Sequence, residues 1–97
     1  MYPRLVDKAS ILFYLMIKNH PFQNGNKRIA ITTLLAFLYF NDKWLRVDTQ
    51  ELYNFTVWIA QSSPRFKDEV VAAIKKFIRE HLVDADQSNS SSRKPKS

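Results

Sequence analysis

Apolar residues recur at helical spacing along most of this chain. Leu5, Ala9, Leu12, Phe13 and Met16 return every three or four positions, which predicts a first helix over about residues 6–18. Pro21 restricts His20 to an extended backbone and Gly25 follows, so residues 19–25 read as a break. A second helix over about residues 26–40 is apolar around most of its circumference, and such a helix belongs in the centre of a bundle. Asn41 and Asp42 stop it, and residues 43–47 read as a short extended connection. Asp48, followed three residues later by Glu51, is a capping-box signature that opens a third helix with Leu52, Phe55 and Ile59 on one face. Ser62 and Ser63 close it, and Pro64 stands at the first position of a fourth helix. The stripe of that helix is Phe66, Val70, Ile74, Phe77 and Ile78, with Lys67, Lys75, Arg79 and Glu80 facing outward. The pattern predicts an all-α fold, a small bundle of about four helices forming one domain over residues 1–86.

Residues 87–97 hold five Ser, one Pro and no large apolar side chain, and read as a disordered tail. The 97 residues allow one domain with a modest core, and seven Phe, four Tyr and two Trp rule out disorder of the whole chain. The formal charge is +6, but Arg93, Lys94 and Lys96 of the tail contribute half of it. The remaining charge is ordinary and gives nucleic-acid binding little support. Absence of Cys removes disulfides, thiolate chemistry and zinc sites of the Cys type. The apolar run from Ile29 to Phe40 is too short to span a bilayer, and no secretory signal follows Met1, so the chain reads as cytoplasmic.

Charge and chemistry concentrate at the break between the first two helices. His20 precedes a Gly-containing turn, a new helix N-terminus and two adjacent cations, Lys27 and Arg28. Unpaired N–H groups at a helix start attract an anion, and Gly25 lets the backbone approach it closely. Arg28 presents a fork that matches two phosphate oxygens, while Lys27 acts as a point cation. An imidazole with an ordinary pKa of about 6.5 can accept a proton near neutral pH, so His20 could deprotonate a hydroxyl while the cations hold a phosphoryl group. A structural reading of the same residues stands beside this one. In it His20 caps the preceding helix, Phe22 plugs the loop into the core, Asn24 and Asn26 satisfy turn and cap hydrogen bonds, and Lys27 and Arg28 are solvated. Two cations at the positive end of a helix are nonetheless unfavourable unless an anion compensates them.

The run His20-Pro21-Phe22-Gln23-Asn24-Gly25-Asn26-Lys27-Arg28 resembles the signature of the Fic/Doc superfamily. That signature is His, any residue, Phe, any residue, an acidic residue, Gly or Ala, Asn, Gly or Lys, then Arg. The likeness extends over about residues 5–78 and implies a Fic/Doc-type bundle whose active-site loop leads into a buried central helix. By this resemblance His20 is the general base that activates a hydroxyl on a target protein, and Phe22 is the aromatic anchored in the core. Asn24 falls on the acidic position that holds magnesium, Gly25 and Asn26 on the anion nest, and Arg28 on the arginine that contacts the phosphates.

Lys27 sorts the branches of the superfamily. Protein AMP-transferases of the Fic type usually carry Gly there and a second Arg three residues after the first, where this chain has Ile31. Lys27 and the missing second Arg look like the Doc branch, whose toxins transfer the terminal phosphate of ATP to a Ser or Thr of a translation factor. The resemblance therefore implies ATP and Mg2+ as cofactors, a target protein, a separate antitoxin and no membrane, with AMP transfer as the alternative. Asn24 departs from the pattern: an amide replaces the carboxylate that a hard cation prefers, so the resemblance implies weakened turnover with nucleotide binding retained. A second departure is length. Only nineteen residues precede His20, which fits either a minimal member or a chain without the family's N-terminal segment.

Overall fold

The computed structural model describes residues 3–19 and 25–85, and the expected tail over 87–97 lies outside them. The first helix, α1 (Pro3–Asn19), is enclosed by the other three: α2 (Gly25–Phe40), α3 (Thr49–Gln61) and α4 (Lys67–His81) all pack against it. Enclosure on several sides buries more of α1 than one stripe. Ala9 and Phe13 are buried as the spacing predicts, Leu5, Leu12 and Met16 are partly buried, and Val6, Ser10, Tyr14 and Ile17 join the core.

Helix α2 packs on α1, α3 and the strand that follows it. Ala30, Leu34 and Leu38 turn inward, while Ile29, Tyr39 and Phe40 reach solvent, Phe40 being 83% exposed. The near-continuous hydrophobicity of α2 thus serves one buried face and one apolar surface. Its end is set by Asp42, whose φ of 64° is the left-handed conformation that Asp tolerates better than most residues. The Asn41 and Asp42 amides donate to the carbonyls of Leu38 and Tyr39 at 2.9 and 3.0 Å, and Asn41 Nδ2 donates to Phe37 O at 2.8 Å.

The extended connection is half of a two-stranded ribbon. Strand β1 (Lys43–Leu45) pairs antiparallel with β2 (Leu82–Asp84), Trp44 opposite Val83. The ladder continues at both ends through Arg46 N to His81 O and Ala85 N to Asp42 O, at 2.8 and 2.9 Å. Lys43 is 7% exposed, and its ammonium pairs with the Asp84 carboxylate across the ribbon. Pairing at this distance in sequence gives β2 no local signature, which is why helical periodicity does not reveal it.

Asp48 caps α3 as its position predicts, its Oδ2 accepting from Gln50 N and Glu51 N at 3.0 and 3.2 Å. The Glu51 carboxylate lies 3.9 Å from His81 Nε2 at the end of α4, which ties the start of one helix to the end of another. Pro64 opens a short 3-10 turn (Pro64–Phe66), and α4 begins only after it. Phe66 consequently leaves the stripe of α4 and is 48% exposed, whereas Val70, Val71, Ile74 and Ile78 are buried. Lys75 faces α1, with its ammonium 3.3 Å from Asp7. Phe13, Leu34, Leu38, Ile59, Ile74 and Ile78 form the heart of the core, each contributing about 1.5–3 kcal/mol by burial. The result is an all-α framework of four helices with one small ribbon. No helix among the described residues is long and apolar enough to cross a membrane.

Candidate active site

Helices α1 and α2 flank residues 20–24, so the segment holding His20, Phe22 and Asn24 is reached from Asn19 and left at Gly25. His20, Pro21, Phe22, Gln23 and Asn24 themselves lie outside the described residues. Gly25 is the first residue of α2, one position earlier than the spacing predicts, so Gly25 and Asn26 place their backbones in its first turn. That turn contains no acidic residue. Lys27 is half-buried and Arg28 is exposed, and among the described residues neither forms a salt bridge. Two cations that form no salt bridge among the described residues therefore add to the positive end of the helix, an arrangement that favours a bound anion.

Arg28 also faces a groove. Together with Ile31 and Thr32 of α2 it lines an open depression of about 620 Å³ whose other wall is Thr49, Gln50 and Tyr53 of α3. Asp48 already accepts from the amides of Gln50 and Glu51. The cationic element of this groove is therefore Arg28 rather than the end of α3. Gln50 Nε2 donates to Asn54 Oδ1 at 2.9 Å, and Thr32, Thr49 and Tyr53 complete a lining of mixed polar and apolar character beside Arg28.

On the entry side of residues 20–24, Lys18 ties α1 to the far end of α3. Its ammonium donates to Ser62 O at 2.6 Å, with Ala60 O at 3.3 Å and Ile59 O at 3.4 Å. These carbonyls end a helix that carries no basic residue in its own last turn.

The family model described as Fic/DOC family matches residues 1–38, a span that covers α1, the segment carrying His20 and the buried face of α2. Over those residues the chain is similar to the Fic/DOC family. Over 47 residues it is 43% identical to the protein named Toxin Doc from Mycolicibacterium smegmatis, a match covering 48% of this chain and 36% of that protein. The chain thus spans about a third of the length of the curated relative it matches. No solved structure matches it.

Position 24, where the signature this run resembles is acidic, carries no carboxylate. Asn24 offers a neutral amide oxygen where a carboxylate would meet a hard cation. Among the described residues no group of three or more His, Asp or Glu side chains comes together that could hold a metal. These residues do not fit a magnesium ion held by protein carboxylates. Lys27, Arg28 and the first turn of α2 supply positive charge of the kind that a polyphosphate would meet. Two features flanking this segment were not visible in the sequence: the Lys18 contact and the groove wall of Thr49, Gln50 and Tyr53. Each joins residues far apart in the chain, and the Asp48 cap was the one local signal that α3 begins beside them.

Proposed function

We propose that this chain carries the catalytic segment of a Doc-like phosphotransferase that moves the terminal phosphoryl group of ATP to a Ser or Thr hydroxyl of a target protein. His20 accepts the hydroxyl proton as the oxygen forms a bond to the γ-phosphorus. The bond from that phosphorus to the β,γ-bridging oxygen breaks, and ADP leaves with the electron pair. The first-turn amides of α2, with Lys27 and Arg28, offset the charge on the phosphate oxygens.

The observation that supports the reading is the pair of cations in the first turn of α2, without a salt bridge among the described residues, within the matched Fic/DOC span and at the end of the motif of His20. Lys27 and Ile31 favour γ-phosphoryl over adenylyl transfer by their resemblance to the Doc branch. The 43% identity to a protein named Toxin Doc supports the same choice. That branch brings two further elements to the proposal, a translation factor as target and a separate antitoxin as restraint. Asn24 favours a second reading, a member that binds nucleotide and turns it over slowly.

Incubation of the chain with a bacterial extract and ATP labelled at either the γ or the α phosphate tests the proposal. Label from γ-labelled ATP on a protein band supports phosphoryl transfer, and label from α-labelled ATP overturns it in favour of AMP transfer. Tight ATP binding with no labelled product leaves the second reading standing.

A further inference from the structure

We propose that the outer face of α1 is a docking surface for an amphipathic helix with acidic flanks, supplied by another protein. Helix α1 packs against α2, α3 and α4, and Arg4, Asp7, Lys8, Ile11, Leu15 and Asn19 remain on its exposed side. Ile11 and Leu15 are each 38% exposed, and Leu12 beside them is half-buried. With Asp7 and Lys8 they line a shallow depression of about 450 Å³, and every residue of that lining comes from α1. The order of the residues explains its shape. Side chains four positions apart form ridges along a helix; Asp7, Ile11 and Leu15 make one ridge, and Arg4, Lys8 and Leu12 make the next. The depression is the channel between the two. Helices pack by laying a ridge of one into such a channel of another, with their axes roughly 8–10 Å apart, so the shape selects a helix as occupant.

Charge decides what kind of helix fits. Asp7 is already paired with Lys75 at 3.3 Å, whereas Arg4 and Lys8 are exposed and form no salt bridge among the described residues. The first turn of α1 holds no acidic residue, so both cations add to its positive end. The channel is thus cationic toward the start of α1 and apolar toward its end. A partner helix matches both halves when it carries an apolar stripe at three- and four-residue spacing with Asp or Glu beside it. The formal charge of +6 acts in the same direction, drawing in an acidic partner and repelling a second copy of this chain. This surface shares no residue with the groove of Arg28, so it stands whether or not the chain transfers phosphate.

The probes are a synthetic helical peptide with a Leu stripe flanked by Glu and the same peptide with Lys in place of Glu. Fluorescence anisotropy reads their binding to the whole chain, and methyl ¹H–¹³C spectra locate it. The Glu peptide is expected to bind, to move the methyl signals of Ile11, Leu12 and Leu15 more than that of Ile31 in the other groove, and to outbind the Lys peptide by about tenfold. Joint substitution of Ile11→Ser and Leu15→Ser is expected to weaken the Glu peptide about ten- to a hundredfold. Lys8→Glu leaves the apolar residues intact and tests the charge by itself, with an expected loss of about three- to tenfold. Absence of binding, equal affinity for the two peptides, shifts centred on Ile31, or unchanged affinity in the serine variant each overturns the proposal. So does a dimer that dissociates in the serine variant, which assigns the face to a second copy. Co-sedimentation with phosphatidylserine vesicles that the serine variant loses overturns it in favour of a lipid surface.

Discussion

Arg28 of α2 and Tyr53 of α3 line one groove, so the cation at the end of the Fic/DOC motif faces an aromatic ring supplied from outside the matched span. Arg28→Ala is expected to weaken ATP binding by about 1.5–3 kcal/mol, the range of a hydrogen bond to a charged group. Calorimetric titration with ATP measures it. Arg28→Lys should recover only part of the loss, because an ammonium cannot reproduce the two-pronged fit to phosphate oxygens.

Asn24→Asp restores a carboxylate at the position where the family signature is acidic. Its expected effect is a faster transfer that rises with magnesium concentration more steeply than that of the wild type. Initial rates over a magnesium series check this. Equal rates and equal magnesium dependence in the two proteins would show that the amide is not what limits turnover.

Stability offers a test away from the chemistry. The rings of Phe55 and Phe77 stack at 4.3 Å with an angle of 14°, joining α3 to α4. Phe77→Ala is expected to cost about 2–3 kcal/mol in urea unfolding, below the usual range for a fully buried Phe because this ring is only half-buried. A double-mutant cycle with Phe55→Ala should return a coupling of about 0.5–1.5 kcal/mol, the usual size for an aromatic pair.

Asp48→Ala removes the acceptor for the amides of Gln50 and Glu51. The expected loss is about 1 kcal/mol of unfolding free energy. The groove should suffer with it, since Gln50 stands on its wall. Weaker ATP binding than in a surface control such as Glu80→Ala checks that link.

What could be read from the sequence follows the range of each interaction. Asp48 was legible because a cap acts within one turn, and the run from His20 to Arg28 because its chemistry is contiguous. Three of the four helices were legible from Phe13, Ile59 and Ile74, whose spacing reflects burial on a helical face, and the second from its near-continuous apolar run. Long-range pairings left no such trace. Strand β2 exists because Leu82 and Asp84 meet Leu45 and Lys43 across the fold. The placement of Phe66 on the stripe of α4 failed for a local reason: a 3-10 turn after Pro64 has a different pitch, so Phe66 falls out of register with Val70. Nothing local to Lys18 marks it out, and only the arrival of α3 gives it three carbonyls.

The most direct test of the account compares wild type with His20→Ala in the rate at which the γ-phosphate of ATP reaches a protein hydroxyl. Loss of a general base is expected to slow transfer by about 10²–10⁴-fold while ATP affinity stays near that of the wild type. Equal rates in the two proteins would contradict the role assigned to His20, and with it the phosphotransfer mechanism.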